Sequence, residues 1–557
     1  MQGLMQDHPL LISGLLTHAA RNCRQGGIIA VERDAAGHST GVAHKVTFPE
    51  LARRAASLAH ALTDLGVQPG DRIATLAWND QRHYELYFAS SGIGAVCHTI
   101  NPRLFPDQIS YIIRHAQDRW IFIDPTLLPV LAGVAEQIAG VPAGIVVMAD
   151  HVPDTPLDAH FDIRAYEELV AGRPATFDWP LFDENTASGL CYTSGTTGNP
   201  KGVLYSHRST VLHAWSIALP GAISMHPADV ILPIVPMFHV NAWGSVYAAT
   251  MTGASLAMPG PRLDGKGLFE LIDAAAVTYV AGVPTVWLGL LAYLRESDKK
   301  LPRGLRGVCG GSALPAALVE AFWTEHGVRI DHGWGMTELS PVGAYNTAPG
   351  DLSTLTVEQI VEGDRKQGRS PYGIELKIID ANGKELPRDG ETQGELCVRG
   401  SWVTSGYYND EAANAGAFTA DGWFRTGDVA TIDENGDMEI IDRVKDLIKS
   451  GGEWISSIEL ENLAMTHPSI SQAAAVPARH PKWDERPILV SVREAGADVS
   501  EAELVAHLEK TLSKWMLPDA VVFVDELPLT ATGKVMKRAL RETYADYLER
   551  QDRDQRY

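Results

Sequence analysis

The chain has 557 residues, 45% of them apolar and 21% charged, with a formal net charge of −22. That length exceeds one ordinary hydrophobic core, so two or more domains of a globular protein are expected. The acidic balance, with no block of basic residues, excludes a nucleic-acid binder, which needs a basic face.

Thr47-Phe-Pro-Glu50 matches a capping box, and Leu51, Ala55, Leu58, Leu62 and Leu65 follow at helical spacing until Gly66. Arg72–Trp78 reads as a strand, Gln81–Gly92 as a helix, and Trp120–Asp124, Gly144–Met148 and Ala187–Tyr192 as further strands. Strand-like runs recur at Val230–Val235, Thr278–Val283, Gly307–Cys309 and Val328–Asp331. Short apolar strands alternating with amphipathic segments predict an α/β fold. Loops of unusual composition follow these last strands: Pro236–Gly244, Gly282–Pro284, Gly310–Ala313 and His332–Glu338. Ligands of α/β sheets gather beyond the carboxyl ends of strands, so these loops are expected to share one cleft.

From Pro371 to Arg399 the pattern changes to an antiparallel subdomain. Strands are expected at Gly373–Asp380 and Gly394–Arg399, joined through an Asn382-Gly383 turn. A domain boundary is expected at Asp442–Asp446, a charged link after the Met438–Ile441 strand. Beyond it the pattern is α+β. Ser456–Glu459 forms a capping box opening a helix through Ala464, and a second helix covers Glu501–Leu512. Strands are expected at Ala473–Val476, Ile488–Val492 and Val521–Val524, and a last helix from about Val535 onward.

Cys23, Cys97, Cys191, Cys309 and Cys397 are widely spaced and form no Cys-x-x-Cys pair, so neither zinc nor a disulfide framework is expected. The first residues lack the basic start and apolar core of a secretory signal. No apolar run approaches the ~20 residues of a membrane span, and a cytoplasmic protein is expected.

The chemistry concentrates in Tyr192-Thr-Ser-Gly-Thr-Thr-Gly-Asn-Pro-Lys-Gly202. Gly195, Gly198 and Gly202 let backbone N–H groups approach a ligand, while Thr193, Ser194, Thr196 and Thr197 add hydroxyl donors. Lys201 adds a charge, which makes the segment suited to an oxyanion such as phosphate. It is not a P-loop, because Pro200 stands where that pattern needs a glycine. Read alone, it is equally a flexible Ser/Thr/Gly loop.

Tyr192–Gly202 resembles the phosphate-loop signature of the adenylate-forming superfamily, which holds acyl-CoA synthetases, luciferases and peptide-synthetase adenylation domains. Further motifs follow in that superfamily's order: Gly333-Trp-Gly-Met-Thr-Glu338, Trp423-Phe-Arg-Thr-Gly-Asp428, Asp442-Arg-Val-Lys-Asp446 and Thr532-Gly-Lys534. The extended form Lys449–Ser456 is similar to medium-chain fatty acid–CoA ligases, as are Asn101–Leu104, Tyr205–Thr210 and Lys482–Pro487. The ligase for 3-methylmercaptopropionate shares these motifs.

The resemblance implies a large multi-sheet N-terminal domain over 1–441 with a small antiparallel subdomain. A hinge at 442–446 and a mobile α+β lid at 447–557 follow. It implies ATP, CoA and a carboxylic acid as substrates, Mg2+ as cofactor, and a homodimer as an option. Glu338 and Thr193 are the implied magnesium contacts, and Thr337 touches the α-phosphate. Asp428 takes the ribose hydroxyls, for which an ionised carboxylate is suited, and Arg443 reaches ribose or phosphate. Gly311, Ser312, Ala313 and the run His332, Gly333, Trp334, Gly335 and Met336 flank the nucleotide, with Ser194–Gly198 and Lys201 on its phosphates. Lys534 bridges carboxylate and α-phosphate, and Lys445 occupies the hinge. Ser450, Gly451, Gly452, Glu453 and Trp454 would meet CoA.

Pro236–Trp243 is expected to line the acyl pocket with Val240, Trp243 and Gly310, and His239 to lie near the reacting carbonyl. A lone histidine beside apolar residues is as readily structural. No charged residue of these loops stands ready for an amino group, which argues against amino-acid activation. The leading expectation is a medium-chain fatty acid–CoA ligase, with 3-methylmercaptopropionate as alternative acid. A luciferase-like oxygenase or a non-catalytic nucleotide sensor could share the fold. A triad hydrolase lacks its Gly-x-Ser-x-Gly elbow.

Overall fold

Four sheets organise the protein in the computed structural model, which describes residues 1, 3–33, 39–193, 199–347, 355–451, 453–529 and 535–554. A seven-stranded sheet runs Asp162–Ala165, Gly144–Val147, Asp118–Ile123, Arg72–Leu76, Val96–Thr99, Ala187–Tyr192, Gly202–Ser206. It is parallel except for its last, antiparallel pair. An eight-stranded sheet runs Val342–Tyr345, Ile330–Gly335, Arg306–Gly310, Tyr279–Gly282, Val230–Pro233, Ser255–Ala257, Gly27–Arg33, Ser39–Thr47. Parallel sheets need both faces covered. The helices Phe48–Asp64 and Gln81–Gly92 serve that need, because Leu58, Tyr87 and Phe88 share one buried cluster with Phe122 of the first sheet and Ile231 of the second. At the first of these helices, Thr47 and Glu50 make the expected capping box.

The remaining two sheets follow in chain order. Ile374–Ile379, Gly394–Gly400, Phe424–Ile432 and Met438–Arg443 form a four-stranded antiparallel sheet. Ile448–Ser450, Glu453–Ile455, Ile470–His480, Asp484–Arg493 and Ala520–Phe523 form the last, packed by the Ser457–Met465 and Glu501–Leu508 helices around Leu460, Leu489 and Leu504. The architecture is the expected α/β one with an antiparallel subdomain and an α+β unit.

Several local expectations are corrected. The strand expected to stop at Asp331 continues from Ile330 to Gly335, because Gly333 and Trp334 pair with Tyr345 and Ala344. Asn382-Gly383 does turn the chain, with Gly383 at φ 81°. The turn pairs Asp380 with Lys384, however, and the second long strand begins only at Gly394. Ser456 accepts from the Glu459 N–H without the reciprocal half of a capping box. The helix from Glu501 ends at Leu508 rather than Leu512.

Candidate active site

A cleft of ≈ 1480 Å³ opens where the carboxyl ends of both large sheets meet the antiparallel sheet and the C-terminal unit. Thr193 ends the Ala187–Tyr192 strand there. Its N–H donates to the Lys201 carbonyl (2.9 Å) and its hydroxyl accepts the Lys201 N–H (3.2 Å), closing the base of the loop between them. Ser194, Gly195, Thr196, Thr197 and Gly198 lie outside the described residues, as do Gly452 and Lys534.

Opposite Thr193, a short helical turn over Thr337–Leu339 presents Thr337 and Glu338, both buried and both lining the cleft. The Tyr205 hydroxyl donates to the Thr337 carbonyl (2.7 Å), tying this turn to the strand that leaves the phosphate loop. Burial pushes the Glu338 carboxyl up from its ordinary pKa, offset by a hydrogen bond from Tyr407 and the charges of Arg443 and Lys201. A buried carboxylate with one side-chain donor at 2.7 Å, in a cleft with Thr193, can take a hard divalent cation. Magnesium usually binds through one or two carboxylates plus substrate phosphates, so the donor set fits it.

Asp428 and Arg443 sit on neighbouring antiparallel strands as register partners, which brings their side chains to 3.3 Å. Trp334 donates its indole N–H to Asp428 Oδ2 (2.9 Å). Asp428 is 5% exposed, and a carboxylate has about four acceptor sites, so room remains for vicinal hydroxyls. Asp428 is not itself a lining residue of the cleft; its partners Trp334 and Arg443 are, together with Gly311, Ser312, Ala313, Gly333, Gly335 and Met336. His332 is not: it is buried, its Nδ1 faces the Asp364 carbonyl at 3.1 Å, and burial pushes its pKa down to about 4.

The apolar end is built by an unusual turn. Val240, Asn241, Ala242 and Trp243 all have positive φ, between 48° and 56°. Left-handed backbone costs about 1–2 kcal/mol per L-residue, so tertiary contacts must hold it. Asn79 braces the segment that leads into it, donating to the Pro233 and Val235 carbonyls and accepting from the Met237 N–H. Gly244 lies where a Cβ would come within 2.6 Å of the His213 ring, and Gly310 where one would come within 3.1 Å of Trp243. Trp243 therefore lies against Gly310. Val240, Trp243, Ile217, Ile223 and Val308 line this part of the cleft, with His239 at its entrance to the turn.

Lys445, in the 442–446 segment, also lines the cleft, and the C-terminal unit contributes Glu461, Leu529 and Val535–Lys537. Burial, with Arg443 and Arg541 nearby, pushes the Lys445 amine down to about 8. Ser450, Gly451, Glu453 and Trp454 are not brought to this cleft. Ser450 accepts from Arg486 (3.0 Å), and Gly451, at φ 61°, is held against the Trp483 ring.

Sequence reasoning missed Tyr407, whose hydroxyl meets Glu338 Oε1 at 2.7 Å and whose ring centroid lies 4.7 Å from Lys201 Nζ. The aromatic pair in Ser405-Gly-Tyr-Tyr408 was its visible signal. Asn79 left no comparable trace, whereas Tyr205 was visible as the first residue of the Tyr205–Thr210 motif.

Residues 20–408 match the family model described as AMP-binding enzyme, and residues 459–534 that of the AMP-binding enzyme C-terminal domain. The chain is 50% identical to the 3-methylmercaptopropionyl-CoA ligase of Ruegeria lacuscaerulensis over 98% of this chain and 100% of that one. It is 47% identical to the medium-chain-fatty-acid–CoA ligase of Ectopseudomonas oleovorans over 99% of each. Among solved structures, the anthranilate CoA ligase AuaEII in complex with anthranoyl-AMP superposes with a TM-score of 0.84 at 25% identity, covering 97% of this chain and 99% of that one.

Proposed function

The chain belongs to the AMP-binding enzyme family and is an AMP-forming acyl-CoA synthetase, and we propose that it joins a medium-chain fatty acid to CoA through an acyl-adenylate. The observation that carries the reading is the convergence, in one cleft, of an apolar turn with groups suited to each part of ATP. Thr193 and Lys201 line the side assigned to the phosphates, Trp334 and Arg443, which both hold the Asp428 carboxylate, line the side assigned to ribose, and Trp243 lies at the apolar end.

In the first half-reaction the carboxylate attacks the α-phosphorus and pyrophosphate leaves. Lys201 and the phosphate loop stabilise charge on the β- and γ-phosphates, the role preorganised donors fill most effectively in a water-poor site. Asp428 accepts from the ribose hydroxyls while Trp334 and Arg443 fix its carboxylate. Thr337 contacts the α-phosphate, and Lys534 bridges it to the acid. Glu338 and Thr193 would hold Mg2+, whose chemistry is to neutralise charge on the phosphate oxygens. The C-terminal unit, bounded at 447 beyond a hinge at 442–446, then swings about Lys445 to bring Ser450–Trp454 to the adenylate for attack by the CoA thiol. His239 lies beside the reacting carbonyl.

The acid is apolar because the lining around Trp243 is Ile217, Ile223, Val240 and Val308, without a charged side chain among them. Each buried methylene contributes about 0.8 kcal/mol, so chain length is rewarded until the space is filled. A second reading, 3-methylmercaptopropionate, is favoured by 50% identity to a ligase named for that acid. Among the described residues no helix is long and apolar enough to cross a membrane. A cytoplasmic location completes the reading, with a homodimer as an option. The test is AMP formation from ATP, Mg2+ and CoA with short, medium and long fatty acids, 3-methylmercaptopropionate and an aromatic acid. Highest kcat/KM for a medium-chain acid supports the reading; highest kcat/KM for the thioether acid replaces the substrate, and no AMP with any acid overturns the activity.

A further inference from the structure

We infer that Tyr407 is a positioning residue that keeps Lys201 and Glu338 apart, each available to a different part of a magnesium–nucleotide complex. The inference rests on the adenylation reading above. An ammonium and a buried carboxylate that share a cleft attract one another, and a direct ion pair between them would spend both charges. Among the described residues no ion pair joins Lys201 to Glu338. Tyr407 stands between them instead: its hydroxyl donates to Glu338 Oε1 at 2.7 Å, and Lys201 Nζ lies over its ring, 4.7 Å from the centroid. A lysine over a tyrosine face is held by the ring quadrupole without losing its donors to an acceptor.

The Tyr407 backbone is itself held on both of its polar groups. The Tyr407 N–H donates to Asn414 Oδ1 (2.7 Å), and Asn414 Nδ2 returns a bond to the Tyr407 carbonyl (3.3 Å). On either side the same loop is stitched to both charged segments. The Thr404 N–H donates to the Glu338 carbonyl and the Tyr408 N–H to the Gly202 carbonyl, each at 2.8 Å. The segment 404–408 thus fixes backbone on the glutamate side and on the lysine side, with Tyr407 between their side chains.

The test measures Mn2+ binding, by electron paramagnetic resonance, to the full chain with a non-hydrolysable ATP analogue. It needs no acid and no turnover. Tyr407→Phe keeps the ring under Lys201 and removes the bond to Glu338; Tyr407→Leu removes both. A hydrogen bond to a charged group is worth about a tenfold to hundredfold change, so Tyr407→Phe should weaken Mn2+ binding by roughly tenfold or more. Tyr407→Leu should in addition weaken binding of the analogue measured without metal. Melting temperatures close to the parent's show that both variants fold. A Phe variant that binds Mn2+ as the parent does overturns the inference, as does a Leu variant indistinguishable from Phe in metal-free analogue binding. If the parent binds no Mn2+ with the analogue, it is the adenylation reading that fails instead.

Discussion

Trp334 donates its indole N–H to the carboxylate of Asp428 at 2.9 Å, so a residue that resembles an adenine neighbour also orients the carboxylate proposed to accept the ribose hydroxyls. Asp428→Asn replaces a charge-assisted contact to ribose by a neutral one and leaves the backbone register untouched. ATP affinity should fall about tenfold, with melting temperature unchanged. Trp334→Phe should produce a smaller loss in the same direction, read by calorimetric titration. An Asp428→Asn variant with parental ATP affinity removes both residues from the site.

Trp243 rests against Gly310 at the end of a left-handed turn. Trp243→Ala opens space, so longer acids should gain over short ones. The change in the ratio of kcat/KM should correspond to ~1–3 kcal/mol, or about 10–200-fold. The KM for ATP should stay within a factor of about two, since Trp243 is proposed to meet the acid and not the nucleotide. A flat ratio across chain lengths makes Trp243 part of the core.

What the sequence revealed and what it hid divide along physical lines. Local signals were legible: the Thr47 capping box, the Gln81–Gly92 helix and the Ala187–Tyr192 strand are where composition and spacing place them. Pairings between distant segments were not. Nothing in Gly27–Arg33 announces that it joins the eight-stranded sheet beside Ser255–Ala257. The Gly333–Gly335 run hid a strand because glycines mark turns as readily as close strand approach. Val240–Trp243 hid its turn because β-branched and bulky residues avoid positive φ unless their surroundings impose it. Most of the site's charged residues were visible through motifs; Tyr407, which meets Glu338 and Lys201, and Asn79, which holds the Pro233–Met237 backbone, lie apart in sequence from the groups they hold.

The amine of Lys445 is pushed down to about 8, by burial first and by Arg443 and Arg541 next. The sign is that of a base disfavoured in its charged form. Protonation in the folded state is lost near pH 8, whereas an unfolded lysine holds its proton to its ordinary, higher value. Lys445 should therefore react with an acetylating reagent at lower pH than the other lysines, read by mass spectrometry of its peptide. Reactivity that rises only with the bulk of the lysines contradicts this.

Remote from the cleft, Arg54 pairs with fully buried Glu85 at 2.6 Å and with Glu167 at 2.8 Å, and the Tyr166 hydroxyl donates to Glu85. Arg54→Ala leaves the Glu85 charge without its cation, a loss of about 3–5 kcal/mol for a buried pair. Chemical denaturation should detect it. Pairing Arg54→Met with Glu85→Leu should recover most of the loss, because the uncompensated charge is then gone. A single variant as stable as the parent contradicts the burial of that charge.

The central claim is that the acid and the α-phosphorus of ATP become joined before CoA enters. Its most direct test supplies the acid with both carboxylate oxygens replaced by the heavy isotope, then follows the label into products by mass spectrometry. The account predicts one labelled oxygen in the phosphate of AMP, with pyrophosphate unlabelled. Label absent from AMP, or ADP and phosphate formed in place of AMP and pyrophosphate, would contradict it.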